Sequence, residues 1–274
     1  MTEIKVMVVD DSAFMRRIIS DIINGQPDMK VVATAANGEE ALSTAKKAIP
    51  DVITMDVEMP VMDGLAALEK IMSDTPMPVI MLSSLTQQGA DATVKALHLG
   101  AVDFITKPSG SLSLDINTVA RDIVSKIRIA ALAGDKIRKT PVHKTKALFQ
   151  PPKGSPVRPH RTPEKLVLIG TSTGGPKALH EVIPKLPGDL PAAVLVVQHM
   201  PPGFTRSLAE RINGMSALNV KEAEDGEPVL TGNVYIAPGD YHLKVKRLGE
   251  GIGRRLIINL TKDPLVSGHR PSVD

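Results

Sequence analysis

Five short, almost wholly apolar runs recur through the first part of the chain: Ile4–Val9, Val31–Thr34, Val52–Met55, Val79–Leu82 and Val102–Ile105. Amphipathic stretches at helical spacing separate them, such as Phe14, Ile18, Ile19, Ile22 and Ile23. Strands without a polar face must be covered on both sides, and strands separated by helices cannot pair as hairpins. The pattern therefore predicts a parallel sheet between two layers of helices. In open sheets of this kind, chemistry gathers beyond the carboxyl ends of the strands. Those positions hold Asp10 and Asp11, then Asp56, then Ser83 and Ser84, and finally Lys107-Pro108.

Asp10, Asp11 and Asp56 brought together would repel, and a cation is needed to keep all three ionised. Oxygen ligands with room for water suit Mg²⁺. A carboxylate beside such an ion and a lysine is placed to attack a phosphoryl group. A single carboxylate or hydroxyl at a strand end can also simply cap the next helix, which accounts for Asp11 or Ser12 alone. Capping does not account for the whole set together with Lys107.

The 274 residues exceed what one core usually needs, so two domains are expected. Residues 1–108 carry fifteen acidic against nine basic side chains, whereas residues 134–165 carry nine basic against two acidic. The basic block also holds Pro141, Pro151, Pro152, Pro156, Pro159 and Pro163. Its composition is that of a solvated linker. The expected division is a first domain over 1–131, a linker over 132–163 and a second domain over 164–274. With no cysteine, disulfides, thiolate metal sites and a thiol nucleophile are excluded. The scarcity of aromatics argues against a nucleic-acid surface built on stacking. No apolar stretch is long enough to span a bilayer, and the amino terminus lacks the form of a signal peptide, so a cytoplasmic protein without membrane insertion is expected.

After the linker, Leu166–Ile169 reads as a buried strand entering Gly170-Thr171-Ser172-Thr173-Gly174-Gly175-Pro176. Ser172 breaks the dinucleotide fingerprint, and Pro176 with Lys177 breaks the phosphate-loop pattern. Gly170-x-Ser172-x-Gly174 fits a nucleophile elbow between strand and helix. The amides at Thr173 and Gly174, where the helix begins, then face a developing oxyanion. A serine that merely caps the helix is the competing reading. A base tips the balance: the run Val194–Val197 ends in Gln198-His199, which puts His199 at the end of a neighbouring strand beside Ser172. His143 and His160 fall in the linker and His98 and His180 in helical patterns, while His242 and His269 flank later hairpin-like segments that can line the cleft.

Val8-Val9-Asp10-Asp11-Ser12, Met55-Asp56-Val57-Glu58-Met59-Pro60, Asp63-Gly64, Ser83 and Thr106-Lys107-Pro108 resemble a response-regulator receiver domain. The resemblance implies a flavodoxin-like (βα)5 fold with Asp56 as phosphoacceptor. It further implies Mg²⁺ held by Asp10, Asp11, Asp56 and the Glu58 main-chain carbonyl. Lys107 would hold a phosphoryl oxygen, Ser83 would be the switching hydroxyl and Phe104 the aromatic that reorients. Gly170–Gly175, Val197–Pro202, Ala237-Pro238-Gly239-Asp240 with His242, and His269-Arg270-Pro271-Ser272-Val273-Asp274 resemble the catalytic domain of CheB-type chemotaxis methylesterases. That family implies a second doubly wound α/β domain with added hairpin strands. It also implies hydrolysis of glutamyl methyl esters on chemoreceptors, with a chemotaxis histidine kinase as phosphodonor and deamidation of receptor glutamines as a related reaction.

The family continues beyond the His269–Asp274 segment into a loop whose aspartate orients the catalytic histidine. An incomplete second domain is therefore expected, with none of Asp240, Asp263 and Asp274 completing a triad. A phosphorylation-activated hydrolase, with its first domain covering the Ser172 cleft until phosphorylated, is the leading expectation. A phospho-switched binding protein with an inactive hydrolase domain is the alternative. A DNA-binding regulator acting through the linker is a third and weaker one.

Overall fold

The computed structural model describes residues 3–107, 116–139, 161–249 and 255–273. Pro108, most of the basic linker with His143 and His160, and Asp274 lie outside the described residues. The chain forms two compact units, Met1–Thr145 and Lys146–Asp274. None of the described helices is long and apolar enough to cross a membrane.

In the first unit, strands β1 (Ile4–Val9), β2 (Met29–Ala35), β3 (Val52–Asp56), β4 (Val79–Ser83) and β5 (Asp103–Thr106) form one parallel sheet in the order β2-β1-β3-β4-β5. Val6, Val8, Val52, Ile80, Leu82 and Ile105 pack with Ile19, Ile23, Ile123 and Ile127 from helices α1 (Ala13–Asn24) and α5 (Ile116–Lys139). Helices α2 (Gly38–Ala48), α3 (Gly64–Asp74) and α4 (Gln87–Leu99) complete the doubly wound layer structure. Each begins at a side-chain cap, respectively Asn37, Asp63 and Thr86, just as Ser12 caps α1. The strand order reverses between β1 and β3, so their carboxyl ends, and hence Asp10 and Asp56, open onto one crevice.

Helix α5 runs on to Lys139, eight residues into the stretch expected to be linker. Charge alone does not end a helix.

In the second unit, β6 (Lys165–Thr171), β7 (Ala192–Gln198), β8 (Asn219–Glu222) and β9 (Asn233–Ile236) form a parallel sheet in the order β6-β7-β9-β8. Helices α6 (Gly175–Val182) and α7 (Phe204–Asn213) follow β6 and β7. The antiparallel pair β10 (His242–Leu248) and β11 (Arg255–Thr261) places Leu256 and Ile258 in a core with Leu195, Val229 and Tyr235. The Tyr235 hydroxyl is buried but satisfied, donating to the Pro228 carbonyl at 2.9 Å and accepting from the Leu230 amide at 3.1 Å.

The expectation of a buried strand at Leu166–Ile169 is corrected by the topology. Among the described residues β6 lies at the edge of its sheet, and Leu168 is 69% exposed. An apolar run identifies a strand but not its place in the sheet.

Candidate functional site

The acidic pocket is built from strand ends. Parallel pairing of Val9 with Met55 sets Asp10 beside Asp56, and one carboxylate oxygen from each of Asp10, Asp11 and Asp56 lies within 4.8 Å of the others. Asp10 and Asp56 are buried and Asp11 is exposed. Lys107 follows β5, held there by its amide bonding the Ser83 carbonyl at 2.8 Å. Its ammonium donates to Asp56 Oδ2 at 2.6 Å and sits 2.9 Å from Asp10 Oδ2. Lys107 therefore bridges the two buried carboxylates as a close ion pair with each. An all-oxygen cluster of three converging carboxylates, two of them buried, fits a hard divalent cation.

Burial dominates the Asp56 carboxyl and raises it above the usual carboxylate range, against the pull of Lys107 and helped by the Asp10 charge. Burial works against the Lys107 ammonium too, but the bonds and charges of Asp56 and Asp10 together hold it above its ordinary value. Gly64 is required here, because a Cβ on it would lie 2.0 Å from the Asp56 carbonyl oxygen. The Glu58 amide approaches Asp56 Oδ1 at 3.4 Å, and the Glu58 side chain is exposed. The Ser83 hydroxyl is buried and donates to the Gly89 carbonyl in α4 at 3.0 Å. Phe104 is 3% exposed, with Lys126 Nζ 5.2 Å from its ring centroid and 2.5 Å from its carbonyl oxygen.

The second cluster arises where β6 meets β7. Thr171 pairs with Gln198 in register, and the His199 amide donates to the Thr171 carbonyl at 3.2 Å, so Ser172 and His199 leave adjacent strand ends together. Ser172 is exposed and His199 half-buried. The cap of α6 is Gly174, in the left-handed region at φ 76°, and no side chain caps that helix. Ser172 therefore does not serve as its cap.

Sequence reasoning did not single out Gln198, which is buried and ties the two strand ends together. Its amide donates to the Ser172 carbonyl at 3.1 Å and the His199 carbonyl at 3.3 Å, and its oxygen accepts from the Thr171 hydroxyl at 2.7 Å. Only a glycine fits opposite, since a Cβ on Gly175 would stand 2.0 Å from Gln198 Oε1. The signal available in the sequence was the Gln next to His199 at a strand end, but the bonds depend on a register that spacing does not reveal.

His199 stacks on His269, ring centroids 4.1 Å apart and planes 10° from parallel. Burial first, and the His269 charge second, hold the His199 imidazole below its ordinary value. His199 Nδ1 is buried without a hydrogen-bond partner. Asp240 is bonded to Arg270 and Lys262, and Asp263 to Lys244 and Thr261. His242 Nε2 lies 3.1 Å from the Pro264 carbonyl oxygen and His180 Nδ1 2.7 Å from that of Pro176.

An acid pocket with a lysine at the switch point of one parallel sheet, and a serine turn beside a histidine in another, define a response-regulator receiver joined to a serine-hydrolase type of domain. Residues 6–116 match the response regulator receiver domain family and residues 167–274 the CheB methylesterase family. Protein-glutamate methylesterase/protein-glutamine glutaminase 1 of Syntrophomonas wolfei is 52% identical over 98% of this chain and 76% of its own length. The corresponding protein of Halalkalibacterium halodurans is 50% identical over 100% and 76%, and that of Bacillus subtilis 49% identical over 99% and 76%. The chain belongs to the protein-glutamate methylesterase/protein-glutamine glutaminase family, and it spans about three quarters of the length of these relatives.

Proposed function

We propose that this chain is a cytoplasmic, phosphorylation-controlled esterase that hydrolyses γ-glutamyl methyl esters on methyl-accepting chemoreceptors, with deamidation of receptor glutamines as the related reaction. The observation that carries the reading is the β6–β7 register, which brings Ser172 and His199 out side by side. His199 takes the proton as Ser172 Oγ attacks the ester carbonyl. The amides at Thr173 and Gly174 receive the oxyanion, and His199 returns the proton to the departing methoxide, which leaves as methanol. Water, deprotonated by the same imidazole, then releases the glutamate and restores the serine. The unbonded Nδ1 of His199 is the position an orienting carboxylate takes in such a site.

In the receiver, taken as residues 1–131 with the rest of α5, an Asp56 carboxylate oxygen attacks the phosphorus of a chemotaxis histidine kinase's phosphohistidine, and the imidazole leaves. Asp10, Asp11, Asp56 and the Glu58 carbonyl would hold a Mg²⁺ ion, which would supply neutralising charge to the phosphoryl group. Lys107 passes from Asp56 to a phosphoryl oxygen. Ser83 gives up the Gly89 carbonyl to bond the phosphoryl group, and Phe104 reorients with it. Residues 164–274 form the hydrolase domain beyond the linker. Methanol release from methylated receptors should vanish in Ser172→Ala, and equal release by both proteins removes the serine from the mechanism. Labelling by a small phosphodonor should require Asp56 and Mg²⁺, and metal-independent labelling of Asp56→Asn removes the acidic pocket.

A further inference from the structure

A general base must keep both its orientation and its neutral form. In serine hydrolases a third group usually fixes the ring in its own plane, through the nitrogen that faces away from the serine. His199 offers a different arrangement among the described residues. The nitrogen Nδ1 is buried and makes no hydrogen bond, while the flat face of the ring lies against His269.

His269 has no place in the proton transfers described above, yet the fold fixes it firmly. The Asp240 amide donates to the Arg270 carbonyl at 3.1 Å, and the Arg270 guanidinium grips Asp240 Oδ1 through both Nε and Nη2. The same guanidinium reaches back through Nη1 to the Lys262 and Asp263 carbonyls at 3.1 and 2.9 Å. A two-way backbone bridge between Val266 and His269 closes the turn on its other side. Asp240 itself is carried by the Ala237–Asp240 loop, whose Gly239 packs so closely on Pro201 and Pro202 that a Cβ would approach their backbone to 2.4 Å. The segment holding His269 is therefore anchored to the chain immediately after His199.

We propose that His269 is a positioning residue for the reaction, holding the His199 imidazole by face-to-face stacking. This deepens the esterase reading and rests on it. A ring held across its face cannot tilt towards or away from Ser172 without breaking the stack, although it keeps freedom about its own normal. The stack and an in-plane hydrogen bond at Nδ1 are thus complementary restraints.

The stack has an electrostatic consequence as well. Covering one face removes water from the ring and penalises its charged form. A proton on His269 at this distance repels one on His199, in the direction seen for the His199 imidazole. The other charged groups on these elements are Asp240, ion-paired with both Arg270 and Lys262, Asp263, ion-paired with Lys244, and Lys177, exposed on α6. Of the described residues, His269 is the one whose charge acts on His199. The base should therefore stay neutral, and ready, further into the acid range than a free imidazole.

The test is a histidine-resolved NMR titration of the full chain, with His199→Gln identifying the His199 signals. His269→Ala should raise the His199 midpoint towards that of an exposed imidazole, with the backbone amide spectrum otherwise intact. His269→Phe retains a flat ring without a charge. It should move the His199 ring protons upfield and leave the midpoint between those of the wild type and the alanine variant. In methanol release, the acid limb of kcat/KM should follow the same order, with KM nearly unchanged. An unaltered His199 midpoint in a folded alanine variant overturns the proposal. So does a phenylalanine variant whose His199 ring shifts match those of the alanine variant. If alanine unfolds the domain, the upfield shift in the phenylalanine variant decides alone. Retained methanol release by Ser172→Ala would refute the esterase reading but leave the titration result standing, so the two failures are distinguishable.

Discussion

Replacing Lys107 by methionine removes the positive charge between Asp10 and Asp56 while nearly preserving length and volume. The side chain of Lys107 is 23% exposed, against 0% for Asp10 and 5% for Asp56, so the change strands two buried carboxylates rather than a surface pair. Removing one partner of a buried ion pair typically costs about 3–5 kcal/mol. Allowing for the water that reaches Lys107, the receiver unit should lose about 2–4 kcal/mol at neutral pH in EDTA. With a denaturant slope of about 1–3 kcal/mol/M, its urea midpoint falls by roughly 1–2 M.

The pH dependence follows from Asp56. Its folded carboxyl is raised above the usual range, chiefly by burial, and without Lys107 it rises further. A raised group favours the folded state fully only below its unfolded value, and that contribution is lost as pH rises through the folded value. The penalty of Lys107→Met must then grow from mildly acidic to neutral pH, as Asp56 ionises beside Asp10. Mg²⁺ should restore more stability to the variant than to the wild type, because the ammonium no longer repels the ion. A hundredfold excess over Kd contributes about 2.7 kcal/mol. Circular dichroism during urea titration, at two pH values with and without Mg²⁺, reads all of this. An unchanged midpoint in EDTA at neutral pH, or a loss independent of pH, refutes the reasoning.

Three further outcomes follow from the second unit. Gln198→Leu deletes the amide that joins the Ser172 and His199 carbonyls; thermal melts should show a loss of about 1–3 kcal/mol, and methanol release should slow with little change in KM. Gly175→Ala must push Gln198 aside from 2.0 Å, so it should cost about 1–3 kcal/mol in the same melts. Combining it with Gln198→Leu should cost less than the sum, and strict additivity would deny the contact. Leu168→Lys, on the exposed apolar edge of β6, should lower self-association in sedimentation without lowering stability, since charged edges resist edge-to-edge pairing.

How much of the site was legible depended on whether a residue's place followed from a strand end or from a register. Asp10, Asp56, Lys107 and His199 could be found because a fully apolar run in a parallel sheet must stop where the chain turns, and the switch point then gathers the residues just beyond. That logic joined Lys107 to Asp56 across 51 positions with no local signal linking them. It failed for Leu166–Ile169, whose composition matches the central strands, because a run records only that a strand forms and not where in the sheet it lies among the described residues. Gln198 and the His269 stack lay beyond it for a related reason. Each depends on facing geometry, the first set by parallel register and the second by the Asp240–Arg270 clamp, and side-chain type alone carries neither. The same distinction bears on Ser172, for which His199 favoured a nucleophile from the sequence and the capping position adds a structural reason. A serine before a helix reads identically in both roles until the capping position is seen to belong to Gly174, which leaves the hydroxyl uncommitted to the helix and at the end of the strand beside His199.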